Sequence, residues 1–258
     1  MRFAGSAPQR FRNVLHVSVM MHVWVSDSAN SPFIRQETSQ VESVVSRLLG
    51  MPRAFVPVVP KPLPPDTSLR VYHSADRECC LAIYSENEPG HFPPGFSDVF
   101  EQTLDRPDYL KLVLNVQGRL AAVGAIGLFP RMIGLQNVWL AFGMVRPDVH
   151  GQGLGTALLL ARLAAVPEPK QPMKVLLSNV AGSESFLERF GFEYQGQMPG
   201  LAGGPMLDVR AALLDRGSWQ RCREIVGGLG FAPQEIPATQ VVDFWAVPPP
   251  VRQSGPPS

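Results

Sequence analysis

An excess of either charge is missing from this 258-residue chain: 23 lysines and arginines face 22 aspartates and glutamates, a formal net charge of +1. The basic residues are scattered, so nothing supports a nucleic-acid-binding face, which would rest on clustered cations. Cysteine is scarce as well. Three residues, two of them adjacent at Cys79-Cys80, are too few for a disulfide framework and lack zinc-ligand spacing. They read as small packing residues of a reducing compartment, and the expected location is cytoplasmic. Long apolar runs are also lacking. Val14 to Val25 is broken by His16, Ser18 and His22 and is too short to cross a bilayer, so no membrane association is expected. Arg10 and Arg12 before it give a superficial likeness to a signal peptide, yet no clean cleavage site follows. The run reads as a strand, or as an upstream extension if translation starts at Met20 or Met21. No carboxylate or cysteine accompanies His16 and His22, and no metal site is expected.

Proline is plentiful. Six prolines at 52, 57, 60, 62, 64 and 65 exclude helix or central strand there and predict a linker or an extended surface strap. Residues 36 to 50 before it form a predicted amphipathic helix, with Val41, Val44, Val45, Leu48 and Leu49 on one face. Ser39-x-x-Glu42 is a capping box, and Gly50 and Pro52 are stop signals. Residues 1–66 are thus expected to be an N-terminal extension of strand, helix and proline-rich strap. The main domain is expected over 67–247, with a C-terminal elaboration from about 215 and a disordered tail at 248–258.

Within that domain the patterns predict a strand at Leu69–Tyr72, a helix at Asp76–Tyr84, a loop at Glu86–Pro94 and a helix at Phe96–Leu104. Strands at Leu110–Val116 and Arg119–Leu128 are joined by Gln117-Gly118, a hairpin signal. A strand at Val138–Val145, a helix at Thr156–Val166 and a strand-like run at Lys174–Leu177 follow. Then come β-like runs at Glu193–Gln197 and Met206–Leu213, a helix at Ser218–Val226 with Ser218 as N-cap, and a strand at Val241–Val247.

The segment between the strand ending at Val145 and the helix opening at Thr156 carries the chemistry. Glycines at 151, 153 and 155 let consecutive backbone N–H groups face an anion, with the helix dipole behind them. The spacing predicts a phosphate-bearing ligand. A triphosphatase loop needs Gly-Lys-Ser/Thr, and there is no lysine. A dinucleotide fold needs G-x-G-x-x-G and an acid about 20 residues on; here the pattern is G-x-G-x-G and the next strand ends in Ser178-Asn179. A methyltransferase loop fits the glycines better, but Pro147 breaks the strand too early and Asp148 is out of register. The antiparallel hairpin at Gln117-Gly118 also speaks against the parallel sheet of that fold.

The whole neighbourhood resembles the GNAT superfamily of N-acetyltransferases. The resemblance rests on Val145-x-Pro147, then His150-x-x-Gly153-x-Gly155, then Val175 to Asn179, which looks like the family's next strand, then Ser183 to Phe192, which resembles its helix ending in Gly191-Phe192. It covers roughly residues 68–214. His150 stands where relatives usually have Arg or Gln. The resemblance implies an α/β (α+β) fold with a mixed, mostly antiparallel central sheet flanked by helices, carrying N- and C-terminal extensions. It implies acetyl-CoA as acyl donor, held by Met144, Val145, His150, Gly151, Gln152, Gly153, Leu154, Gly155, Thr156 and Asn179. It implies an amine acceptor attacking the thioester directly, with a backbone N–H near Val145 as donor to the developing oxyanion. A carboxylate at Gly153 or Gly155 is expected to abolish cofactor affinity while leaving the fold mostly intact.

The acid–base groups of that family are absent. Val138 to Met144 contains no acid, and Leu187 stands where many relatives have Tyr. Glu86 and His91 in the predicted loop, with Ser183 near the following helix, are the catalytic candidates. Two readings stay open: an N-acyltransferase, or a catalytically silent acyl-CoA-binding sensor or scaffold of the same shape. No acceptor motif is recognisable, and a homodimer stays open.

Overall fold

The computed structural model describes residues 52–92, 96–129, 137–179, 183–198 and 207–237. The strand and helix expected before residue 51, the strand at 241–247 and the tail lie outside the described residues. Seven strands form one sheet in the order β1-β2-β3-β4-β5-β7-β6. They are β1 (Thr67–Val71), β2 (Tyr109–Val116), β3 (Arg119–Phe129), β4 (Asn137–Val145), β5 (Met173–Asn179), β6 (Glu193–Met198) and β7 (Leu207–Leu214). Only β4 and β5 run parallel; every other neighbouring pair is antiparallel. The mixed, helix-flanked sheet agrees with the expected fold class.

The β2–β3 hairpin shows why the sequence forms it. Gln117 and Gly118 both take positive φ, 52° and 74°, the conformation of a two-residue turn matched to strand twist. Val116 then pairs Arg119. Alternation along β2 and β3 sends side chains to two faces. One face packs Leu112, Leu114, Ala122 and Ile126 against helix α3 (Leu154–Ala164) and helix α5 (Arg216–Gly228). The other packs Val113 and Val123 against helix α1 (Arg77–His91) and helix α2 (Ser97–Asp105). A short helix α4 (Glu184–Glu188) links β5 to β6.

Three expectations need correction. Helix α1 continues to His91, so Glu86 and His91 lie on a helix, not in a loop. Pro89 removes one N–H donor near the helix end, and that loss does not stop the last turn. Beyond it, Phe92 packs on Tyr84 with ring centroids 5.1 Å apart. The helix after Ser183 is one short turn; Gly191, at φ 80°, ends the segment. The N-cap of α5 is Asp215, not Ser218: the Ser218 N–H donates to Asp215 Oδ1 at 2.7 Å. Asp215→Ala should cost about 1 kcal/mol, read as a lower melting temperature without loss of activity.

The proline-rich strap is bound into this body. Ala54 bridges Leu213 in parallel fashion, with Phe55 N–H to Leu213 O at 2.7 Å and Leu213 N–H to Arg53 O at 2.8 Å. Val56 N–H then donates to Phe190 O at 2.9 Å. Phe55 is 2% exposed and stacks on Phe190 at 5.9 Å. Prolines carry the chain onward without needing ladder partners, to Lys61 and Leu63 beneath Gly153.

Candidate functional site

β4 is a central strand that loses its partner halfway. Its pairing with β5 runs from Asn137↔Lys174 to Leu140↔Leu177 and stops there. Ala141 to Val145 therefore border a gap on the β5 side, while β3 still covers the other edge. The divergence has a local cause. The β3–β4 register shifts between Val123 and Ala125, and Phe142 takes φ 47°. A bulge of this kind bends a strand and raises its twist. Gly143 is exposed although its strand is interior to the sheet. Arg146 N–H donates to Ala121 O at 2.9 Å, so strand alternation turns the Val145 N–H toward the gap.

The Val145 carbonyl is held from two sides. Asn87 Nδ2 on α1 donates to it at 3.1 Å, and His150 Nε2 lies 2.7 Å from it. Asn87 is 4% exposed and also donates to Ile83 O at 2.8 Å. Nothing in its sequence context had marked it, because its partner lies 58 positions away.

Beyond Val145 a 3-10 turn at Pro147–Val149 leads into the glycine loop. Gly151 and Gly153 adopt φ 76° and 83°, a left-handed region that glycine enters without strain. Gly153 is the N-cap residue of α3. Among the described residues no backbone acceptor pairs with the N–H groups of Gly151 to Thr156. Gly151 and Gln152 are exposed, Gly153 and Gly155 half-buried, Leu154 and Thr156 buried. Lys61 Nζ reaches the Gly151 carbonyl at 3.4 Å, and the amides of the bend sit at the positive end of an 11-residue helix. That arrangement suits a diphosphate.

The three glycines differ in what they require. A Cβ on Gly151 would meet nothing within 4 Å. One on Gly153 would stand 2.7 Å from the Lys61 carbonyl oxygen, so this glycine is needed for packing as well as for its φ. One on Gly155 would make only ordinary contacts, 3.7 Å to Val145 and 3.8 Å to Phe186. The expectation that a carboxylate at Gly153 spares the fold is therefore corrected; Gly155 is the clean position.

The catalytic candidates sit on two elements, Glu86 and His91 on α1 and Ser183 at the start of α4. Glu86 Oε2 lies 4.0 Å from the buried Arg146 Nε, and Arg146 also pairs with Asp148 at the end of β4. Ser183 occupies the N-cap position of α4. His91 is the last residue of α1, and Asn179 ends β5 opposite Asp208. Leu187 is 6% exposed and belongs to the core. Among the described residues no cluster of His, Cys, Asp and Glu is arranged to hold a metal, and no helix is long and apolar enough to cross a membrane. Cys80 and Cys222 are buried, free thiols, each pushed up to about 12 by burial.

The acetyltransferase (GNAT) family model matches residues 77–192, a stretch that includes this glycine loop and the β4–β5 pair. Residues 77–192 are a GNAT acetyltransferase domain. No curated protein sequence matches the chain. Solved structures resemble it in outline. The ribosomal-protein-S18-alanine N-acetyltransferase of Escherichia coli shares 19% identity over 58% of this chain and 94% of its own, with a TM-score of 0.41. An N-acetyltransferase of Staphylococcus aureus shares 18% over 58% of this chain and 99% of its own, TM-score 0.45. The PaiA N-acetyltransferase of Thermoplasma acidophilum, solved in complex with coenzyme A, shares 12% over 57% and 98%, TM-score 0.43. The strap at 52–65, which packs against this GNAT domain, precedes the family match.

Proposed function

We propose that the protein is an acyl-CoA-dependent N-acyltransferase that moves an acetyl group from acetyl-CoA to an amine. The observation that carries the reading is the pair formed by the unpartnered amides of Gly151–Thr156 and the gap beside Ala141–Val145. The loop takes the diphosphate, and the gap takes the pantetheine arm as a substitute strand. Met144, Val145, His150, Gly151, Gln152, Gly153, Leu154, Gly155, Thr156 and Asn179 are the proposed contacts. The bound thioester supplies an activated acyl carbon. The Val145 N–H is placed to donate to its oxygen as charge develops. Asn87 and His150, by holding the Val145 carbonyl, fix the plane of that peptide and so the direction of neighbouring donors.

No carboxylate lies on β4, so proton removal from the acceptor falls to water. Glu86, whose side chain is 45% exposed and lies 4.0 Å from Arg146 just past Val145, is the proposed relay. The silent-sensor reading remains the alternative, because no Glu lies on β4 and Leu187 replaces Tyr. Calorimetry with acetyl-CoA, followed by thiol release over a panel of amines, separates the two. Binding with amine-dependent thiol release is expected. Tight binding with no release on any amine would leave the sensor, and absence of binding would remove both.

A further inference from the structure

Helix α3 buries a cation that no carboxylate balances among the described residues. Arg162 is 7% exposed, and its Nη1 reaches only the carbonyl oxygens of Ala125 and Ala141, at 3.4 and 3.3 Å. Its Nε has no hydrogen-bond partner. The elements around it, β2, β3, β4, β5 and α3 itself, contain no aspartate or glutamate. An uncompensated buried charge is costly, and most proteins avoid it. Burial pulls the guanidinium down to about 10, which still leaves it protonated at neutral pH.

The chain makes room for it on two strands. A Cβ on Gly143 would lie 2.7 Å from Nη2, and one on Gly124 would lie 3.1 Å from Nε. Both glycines sit at the β3–β4 bulge. Gly143 is at once the lid over the guanidinium and an exposed residue bordering the gap. The guanidinium therefore lies against the backbone of the strand segment that borders the gap. Other ionisable groups near the gap are differently placed. His150 meets the Val145 carbonyl, Arg146 is neutralised by Asp148, and Glu86 lies beside Arg146. From α5, Cys222 is a neutral buried thiol and Glu224 is an exposed partner of Arg221.

We propose that Arg162 stabilises the departing thiolate of coenzyme A through its field, acting from beneath Gly143 without touching the substrate. The inference rests on the acyl-CoA reading above. In the transfer the acceptor nitrogen forms a bond to the acyl carbon, and the carbon–sulfur bond breaks with its electron pair going to sulfur. The amine proton passes to water, and the sulfur leaves as an anion. Relatives with a tyrosine can protonate that sulfur; here Leu187 cannot, and a buried cation supplies the compensation instead.

The test is the titration of the thiol of bound coenzyme A, followed by the ultraviolet absorbance of the thiolate. On the wild-type protein the bound thiol should titrate about one pH unit or more below free coenzyme A, a tenfold gain in thiolate. Arg162→Met and Arg162→Gln should bind coenzyme A with little change yet lose that shift, and Arg162→Lys should keep most of it. A wild-type bound thiol that titrates like the free one overturns the proposal even if the variants misfold. So does a neutral variant that binds and retains the shift. If the wild-type protein binds no coenzyme A, the acyl-CoA reading itself has failed and this inference falls with it.

Discussion

Gly155→Asp should abolish coenzyme A binding in a protein that otherwise folds normally. Gly155 lies in the first turn of α3, at ordinary helical backbone angles, and a Cβ there meets its neighbours at 3.7 Å or more. Room for the side chain exists, so the fold is not strained. The cost is electrostatic. A carboxylate about 4 Å from a phosphate oxygen at an effective dielectric near 20 repels it by about 4 kcal/mol. That is a loss of about a thousandfold, since each 1.4 kcal/mol is tenfold, and screening by salt lowers it toward a hundredfold. Gly155→Ala controls for bulk and should bind normally. Gly153→Ala behaves differently, because φ 83° and the Lys61 carbonyl both oppose a Cβ. It should lose stability by about 1 to 3 kcal/mol before any effect on binding is read. Calorimetry of Gly155→Asp with undiminished affinity would remove the loop from the site.

Local signals explain why much of this was readable beforehand. The hairpin at Gln117-Gly118 needs two residues at positive φ, a property of those residue types wherever they stand. The loop from Val145 to Thr156 is likewise a contiguous device, and its glycine spacing, its lack of a lysine and Pro147 together set it apart from nucleotide folds. What stayed hidden depends on partners far apart in sequence. Asn87 looks like any helical asparagine until β4 brings Val145 to it. Arg162 is a single cation in an apolar helix, and only the facing Gly124 and Gly143 reveal that it is enclosed. Helix α1 runs seven residues past the expected end at Tyr84, and Phe92 just beyond it packs back on Tyr84, a contact no local pattern shows.

These hidden contacts share a theme. Helix α3 presents the open amides at its first turn and the guanidinium of Arg162 two turns later. Both act along the same strand, β4, the first at its end and the second at its bulge. A rigid helix therefore sets the spacing between the diphosphate loop and the gap, and the bulge sets where the gap opens. The odd features of β4, namely Phe142 at φ 47° and pairing that stops after Leu140, are local departures from regular sheet concentrated at one place. Such departures are where a fold gives up local stability for a site.

The strap makes the other large prediction, and it concerns stability. Phe55→Ala should destabilise the protein by about 3 to 5 kcal/mol, as deletion of a fully enclosed aromatic does. Phe55 is 2% exposed, stacked on Phe190 and edge-on to Phe192 at 5.9 Å. Its neighbours cannot close the space easily. Gly191, between those two rings, is held by its φ of 80°, and a Cβ there would collide with the Ala54 carbonyl oxygen. The backbone bonds of Arg53, Phe55 and Val56 to Leu213 and Phe190 keep the strap in register, so collapse would break hydrogen bonds as well. The same strap continues to Lys61, whose backbone lies beneath Gly153. Loss of Phe55 should therefore weaken coenzyme A binding too, but only as far as Gly153 is released. A denaturant titration of Phe55→Ala that moves by less than about 1 kcal/mol would mean the strap merely rests on the surface.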